Sequence, residues 1–322
     1  MQIARGLLWP ASAVYRAGMA GRRAAYGLGA LRQHRLGVPV IAVGGLSVGG
    51  AGKTPLASWI ARYLASAGWR PGVVLRGVGG DEGAVHRRHL PGAVVVEDPN
   101  RPRGGRAAVL AGANVVVLDD AYQRFDLARD LNVATIAAES ASLTGLLPGG
   151  PWREPWTALR RADLIVITRK DASLGLALET ARTARSFQPG APIAVASLPI
   201  AGLQRLGRQD RLATSALAGA SVIATAGIAD PWTFAAQLRT LGASVSLLPW
   251  PDHHRYRARD VARLHALARS VDYVVVTEKD AVKLGSFWPP DAPAPLVAEL
   301  GLVWEVGGTA VETLLSRLMT LS

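Results

Sequence analysis

Residues 47–55 read SVGGAGKTP and follow an apolar run, VPVIAVGG. Gly49, Gly50 and Gly52 permit tight backbone turns, so main-chain N–H groups can converge where a helix begins, a natural seat for phosphate. Lys53 is placed to reach β- and γ-phosphates, and Thr54 to offer its hydroxyl to Mg²⁺. Ser47 stands where the common G-x-x-x-x-G-K-[ST] pattern has glycine. Only four of the 36 basic residues are lysine (Lys53, Lys170, Lys279 and Lys283), so a lysine in this context is a specific signal. Phosphate-transfer sites also place a carboxylate for the metal at the end of a second strand. The run VVVLDD supplies Asp119 and Asp120, which could hold Mg²⁺ directly or through water.

These residues need a scaffold that presents strand ends and helix starts together. Seven apolar runs read as strands: 39–45, 72–77, 93–98, 114–120, 133–138, 163–169 and 192–198. They are rich in valine and isoleucine without polar alternation, which predicts a parallel sheet buried on both faces by helices. Leu56, Ile60 and Leu64 give the helix after the loop an apolar stripe. A second unit starts near residue 220, with strands expected at 221–228, 244–250 and 272–278 and a helix opened by Asp230-Pro231. Thr309-x-x-Glu312 reads as a capping box opening the last helix. The stretch LPIAGLQRLGRQDRLATSALAGA reads as the connection between units. The expected fold is α/β: a P-loop NTPase-like sheet domain over 36–215, a smaller α/β lobe with the C-terminal helix over 216–322, and an N-terminal segment over 1–35. A cleft is expected between the lobes.

Composition narrows the class of protein. The chain has 322 residues, 49% of them hydrophobic and 19% charged, so it is neither disordered nor fibrous. It has no cysteine, which excludes disulfides and thiolate chemistry. The net charge of +12 suits polyanions in general, but no basic run with interleaved aromatics marks a nucleic-acid site, and none is expected as a partner. No stretch reaches the ~18 apolar residues of a membrane span. A secretory signal is excluded because the first apolar segment is short, Pro10 interrupts it and arginines follow. Leu7, Leu8, Trp9, Tyr15, Met19 and Tyr26, with Arg16, Arg22 and Arg23, fit a helix at a membrane surface or one packed on the next domain.

The ordered set SVGGAGKTP, RGVGGDE, VLDDAYQRFDLARDL, LLPGGPWREP, GIADPWTF, PWPDHHRY and VVVTEKDAVKL resembles the tetraacyldisaccharide 4'-kinase (LpxK) family over most of the chain. In that family the loop starts with Ser or Thr, which accounts for Ser47. The resemblance implies transfer of the γ-phosphate of ATP, with Mg²⁺, to a sugar hydroxyl of the lipid A disaccharide precursor. It places the reaction at the cytoplasmic face of the bacterial inner membrane, with the N-terminal segment touching the bilayer. It implies that Lys53 and Thr54 keep their loop roles and that Asp81 draws the proton from the acceptor hydroxyl, assisted by His253 from the other lobe. Asp119 and Asp120 match metal-side acids, Gln123 is retained, and Arg153 and Glu154 match residues lining the nucleotide and metal site. Without the resemblance, Asp252-His253-His254 reads as a metal ligand set or a solvated turn. His254 reads as structural, and His34, His86, His89 and His265 as surface or core residues.

Several positions depart from the family pattern. Gly45, Val78, Ala121 and Arg124 stand where Asn, Tyr, Gly and His are usual, and RGVG runs almost directly into Gly80-Asp81-Glu82. Two other readings therefore stand beside the kinase. One is a nucleotide-hydrolysing switch or metallochaperone, suggested by TRKD (168–171) and TEKD (277–280), which echo the guanine-reading N-K-x-D without its asparagine. The other is a silent homologue that binds the glycolipid.

Overall fold

A computed structural model describes residues 9–77, 79–208, 210–285, 287–289 and 292–320. Leu7, Leu8, Val78 and the Trp9 side chain lie outside the described residues. The chain divides into two compact units. The first comprises 1–77, 86–196 and 304–322, and the second comprises 78–85 and 197–303.

The first unit is built on a sheet of strands β1 (Val40–Gly45), β2 (Pro71–Leu75), β3 (Val94–Glu97), β4 (Val115–Leu118), β5 (Leu131–Ala137), β6 (Leu164–Arg169) and β7 (Ile193–Ser197). A late strand, Val303–Val306, lies beyond β7, and the remaining order is β7-β6-β5-β1-β4-β2-β3. The pairs β1/β4, β1/β5, β2/β3, β2/β4 and β5/β6 are all parallel. Val40, Ala42, Val116 and Leu118 pack with Ala108 of helix Arg101–Leu110 on one face. The alternating residues Ile41, Val43 and Val117 are also fully buried, so both faces are covered, as the unbroken apolar runs predict. The seven expected strands form within two residues of the anticipated bounds.

Two helices frame the site of this unit. Residues 10–27 of helix α1 (Trp9–Gly27) include no fully buried one, but Tyr15, Met19, Arg22 and Tyr26 fall on its partly covered face. Ser12 donates to the Leu146 carbonyl and accepts from Gly149 N–H, and Tyr26 meets Phe125 with ring centroids 6.1 Å apart. Helix α2 (Lys53–Ser66) buries Leu56, Ile60 and Leu64 as its stripe predicts.

The second unit has a six-strand sheet ordered Ser244–Pro249, Ser221–Ala226, Tyr273–Thr277, Leu296–Leu300, Ile200–Arg205 and Arg211–Leu212. The first three junctions are parallel and the last two antiparallel. The segment read as a plain connection thus contributes two strands. Its incomplete burial, as in Ile200–Arg205 where only Ile200 and Leu203 are buried, belongs to a sheet margin and lacks the continuous apolar run of a central parallel strand.

The C-terminal helix, Gly308–Thr320, belongs to the first unit rather than to the second lobe as expected. Tyr63 of α2 hydrogen-bonds to the Glu312 carbonyl and pairs with the Ser316 hydroxyl, while Trp59 meets Trp304 edge-on at 5.0 Å. Its apolar stripe, Val311 and Leu315, declares that a face is buried but not against which sheet. The helix begins at Gly308, so Thr309 lies within it and the expected capping box is not its opening.

Gly44 is required by a close approach of β1 to the turn after β4. A Cβ there would lie 2.6 Å from the Tyr122 backbone nitrogen. Gly44→Ala is expected to destabilise the protein by about 1–3 kcal/mol through overpacking against unyielding backbone. Urea unfolding measures this, and an unchanged midpoint would show that the two segments separate freely.

Candidate active site

The loop joining β1 to α2 is shaped by glycine where the backbone turns left-handed. Gly49 has φ 93° and Gly52 has φ 69° as the residue preceding the helix. Gly52 has no side chain with which to cap α2, so no protein oxygen from that residue competes with a ligand for the first helical N–H groups. Ser47 is fully buried, and its hydroxyl has no hydrogen-bond partner. Its backbone bridges Trp152, while Val48 N–H donates to the Pro151 carbonyl and Arg153 N–H to the Leu46 carbonyl. The PWREP segment is therefore fastened along the loop's entry, which is how Arg153 reaches the site.

Lys53 and Arg153 converge on Asp120, at 3.1 and 2.7 Å from Oδ1. Burial alone would raise the Asp120 carboxyl, but the two cations outweigh it and hold it at about 2. Asp120 has φ 51°, a left-handed conformation that Asp tolerates better than most side chains. Gln123 donates to the Gly45 carbonyl at 3.0 Å, tying the turn after β4 to the end of β1.

Asp119 is buried beside Asp120. Its Oδ2 accepts from the Thr54 hydroxyl at 2.9 Å, and its Oδ1 is buried without a partner. A hydroxyl, an orphaned carboxylate oxygen and a neighbouring carboxylate form a hard-oxygen set that suits Mg²⁺, which is commonly held by one or two carboxylates together with substrate phosphates. Among the described residues no group of three or more His, Cys, Asp or Glu forms an all-protein metal cage. Glu154, expected on the metal side, instead has Arg161 as its described ion-pair partner. That guanidinium sits over the Tyr122 ring, 4.1 Å from its centroid.

Two residues passed over in the sequence belong to this site of the first unit. His86 is fully buried, with Nε2 2.9 Å from Asp119 Oδ2 and Nδ1 2.8 Å from the Ser58 hydroxyl. Burial tends to raise the Asp119 carboxyl, but the bond and charge of His86, with the Thr54 hydroxyl, bring it below its ordinary value. Arg101, buried to 2% exposure, donates to the Asp98 and Asp119 carbonyls and so braces the end of β4. The spacing of His86 and Arg101 in the chain carries no motif that would have identified them. Lys170 of TRKD is a third addition: a methyl group on Gly50 would lie 2.5 Å from its Nζ, so its ammonium hangs over the loop.

The second unit holds the expected acid–base pair. Asp81 opens helix α3 (Asp81–His89), and its Oδ2 lies 3.3 Å from His253 Nδ1. The Asp81 side chain is 1% exposed and that of His253 is 38% exposed, so the imidazole is the member that meets solvent. The expectation that the pair spans two lobes is corrected: residues 78–85 sort with the unit containing His253, and the unit boundary falls inside α3. His253 has φ 57°, and its N–H donates to the Gly227 carbonyl at 3.0 Å. His254 is structural, as read. It stacks on Trp250 with centroids 4.5 Å apart, and its Nε2 lies 3.1 Å from Asp260 Oδ2.

The LpxK family of tetraacyldisaccharide-1-P 4'-kinases matches residues 4–87 and 78–319 of this chain. The tetraacyldisaccharide 4'-kinase of Anaeromyxobacter sp. (strain Fw109-5) is 40% identical over 302 residues, covering 85% of this chain and 81% of that protein. That of Azoarcus sp. (strain BH72) is 35% identical over 332 residues, covering 97% and 91%. Among solved structures, LpxK from Aquifex aeolicus in complex with ATP aligns with TM-score 0.75 and 26% identity over 98% of this chain and 99% of that one. The phosphate loop, the paired acids and the Asp81–His253 pair thus lie in a chain that belongs to the tetraacyldisaccharide 4'-kinase family.

Proposed function

We propose that the protein transfers the γ-phosphate of ATP to the 4'-hydroxyl of tetraacyldisaccharide 1-phosphate, working at the cytoplasmic surface of the bacterial inner membrane. The observation that carries the reading is the Asp81–His253 pair: a buried carboxylate behind a partly exposed imidazole, 3.3 Å apart, in a chain that also builds a complete phosphate loop. A hydroxyl acceptor must lose a proton as it attacks, and such a pair can take it. The loop N–H groups, Lys53 and Arg153 would bind and orient the phosphates of ATP. Thr54, Asp119 and Asp120 would hold Mg²⁺, which when bound supplies neutralising charge to the phosphate oxygens. On nucleotide binding, Lys53 would exchange Asp120 for a phosphate oxygen, leaving Asp120 to Arg153 and the metal. Because Asp81 is buried and His253 is the exposed member, His253, rather than Asp81 as the resemblance implies, would take the acceptor proton at the nitrogen facing solvent while Asp81 holds the imidazole in orientation. The oxygen–phosphorus bond to the sugar then forms as the γ-phosphate bond to ADP breaks.

Helix α1 supports the membrane part of the reading. No helix among the described residues is long and apolar enough to cross a bilayer. Val14 is 73% exposed on the face of α1 away from Tyr15 and Tyr26, and Leu28 just beyond the helix is 85% exposed. Arg16 and Arg23 of the same helix are also exposed, and exposed apolar and basic residues together suit an anionic lipid surface.

Four measurements test the proposal. Radiolabel from γ-labelled ATP should appear on the tetraacylated disaccharide in detergent, whereas hydrolysis without lipid labelling would favour a switch, and ATP binding without turnover a silent binder. Lys53→Met should lower kcat/KM for ATP by about 10²-fold or more. Asp81→Asn should lower kcat by about 10²–10⁴-fold with KM for ATP nearly unchanged; wild-type turnover in either variant would remove that residue from its role. The double variant Val14→Glu, Leu28→Glu should sediment less with anionic phospholipid vesicles while retaining detergent activity, and undiminished sedimentation would place the membrane contact elsewhere.

A further inference from the structure

Helix Glu278–Leu284 presents two of the chain's four lysines to a single dipeptide. Lys279 Nζ lies 2.6 Å from Glu82 Oε1, and Lys283 Nζ lies 3.2 Å from Asp81 Oδ2. The two lysines are four residues apart and so share one face of the helix. Both contacts lie within the second unit, and they give a physical reason why the short segment 78–85 sorts with it.

The Lys283 contact differs in kind from that of Lys279. Asp81 Oδ2, His253 Nδ1 and Lys283 Nζ are all buried, and none makes a hydrogen bond of ordinary geometry. Asp81 Oδ2 faces the other two at nearly equal range, 3.3 Å to the imidazole and 3.2 Å to the ammonium. Buried polar atoms are almost always satisfied, and a group of three left mutually facing marks a poised site rather than a packing accident. A buried carboxylate also needs a compensating charge to remain ionised. An uncharged Asp81 could neither orient His253 as a base nor stabilise the imidazolium formed when the acceptor's proton arrives.

A second carboxylate stands behind the lysine. Asp280 Oδ1 lies 3.8 Å from Lys283 Nζ. Asp280 is fully buried, and it accepts from Gly227 N–H, the Thr277 hydroxyl and the Tyr256 hydroxyl. Those bonds satisfy Asp280 without the lysine and aim the ammonium towards the less satisfied Asp81. They also reach the turn of His253, because Gly227 donates to Asp280 through its N–H and accepts from His253 N–H through its carbonyl. A Cβ on Gly227 would lie 3.0 Å from Asp280 Oδ1, so the absence of a side chain allows this approach.

We propose that Lys283 is a positioning residue for the phosphoryl transfer: its ammonium, 3.2 Å from Asp81 Oδ2, fixes that oxygen against His253 Nδ1, while Asp280 anchors both the lysine and the His253 turn. The acceptor's proton goes to the Asp81–His253 pair and from there to solvent after ADP leaves. The inference rests on the role given to that pair above. The charged and titratable groups around Asp81 are His253, Lys283, the Glu82–Lys279 pair and, behind Lys283, Asp280 with Tyr256.

The test compares the full-length enzyme with Lys283→Met, Lys283→Gln and Lys283→Cys in steady-state assays across pH, alongside thermal unfolding. Losing a cation beside the pair makes it easier to protonate, so the acid limb of kcat should move to higher pH by about one to three units. At neutral pH kcat should fall by about tenfold or more while KM for ATP stays within about twofold, the pattern of an interaction acting on the transition state. Because the chain has no cysteine of its own, 2-bromoethylamine would restore an ammonium at the Lys283→Cys position alone, and the activity and the acid limb should both return. Adding Lys283→Met to Asp81→Asn should cost little more than Asp81→Asn by itself, since the two act as one unit. An unmoved acid limb, or a loss of kcat that aminoethylation does not reverse, would overturn the proposal and leave Lys283 as packing for Asp280. If Lys283→Met does not fold, Lys283→Gln and the Lys283→Cys pair carry the same comparison. If Asp81→Asn itself retains full turnover, the role given to the Asp81–His253 pair has failed, which is a separate result.

Discussion

The nucleotide site of the first unit depends on one buried carboxylate. Asp119 sits at the end of β4 and is held by Thr54 from the first turn of α2, by His86 from the last turns of α3, and by Arg101 bonding to its carbonyl. A buried carboxylate stays charged only if such partners outweigh its desolvation, and here their net effect lowers its pKa. With Asp119 fixed, the next residue, Asp120, is placed in a left-handed turn where Lys53 and Arg153 reach it together. The loop, the metal-side acids and the arginine from PWREP are therefore connected through a single strand end.

The same economy of means appears in the second unit, where Asp280 plays the corresponding part. It accepts from Gly227, Thr277 and Tyr256 and stands 3.8 Å from Lys283. Gly227 in turn carries the turn of His253, whose positive φ is maintained by the bond to the Gly227 carbonyl and by the stacked Trp250–His254 platform next to it. Each unit thus has a buried aspartate that organises a more exposed one or an imidazole. Rigid placement of that kind is what phosphoryl transfer asks of a protein, since its catalysis is mostly positioning and charge neutralisation.

The departures from the family pattern fall into place unevenly. Gly45 contributes only its backbone, and its carbonyl receives Gln123. Ala121 is fully buried in the turn after Asp120. Arg124, where histidine is usual, pairs with Asp126 at 2.7 Å and donates to the Pro99 carbonyl. The short run into Gly80-Asp81 still delivers Asp81 to His253, through the grip of Lys279 and Lys283 on Asp81 and Glu82.

What the chain states locally was legible. The strand, the glycine turns, Lys53-Thr54 and the stripe of α2 announce a phosphate loop because each signal is short-ranged and set by backbone geometry or helix period. The central strands were equally plain because burial on both faces leaves an unbroken apolar run. Strands at the sheet margin, such as Ile200–Arg205, were not, since half-burial there resembles a loop. The owner of the C-terminal helix was also hidden, because Val311 and Leu315 require only some apolar partner. Only the tertiary structure brought His86 to Asp119, and Asp81 into one unit with both His253 and Lys283. Those meetings join residues far apart in the chain through buried polar contacts, and a polar contact of that kind leaves no periodicity in the sequence: it exists only once the surrounding elements have packed.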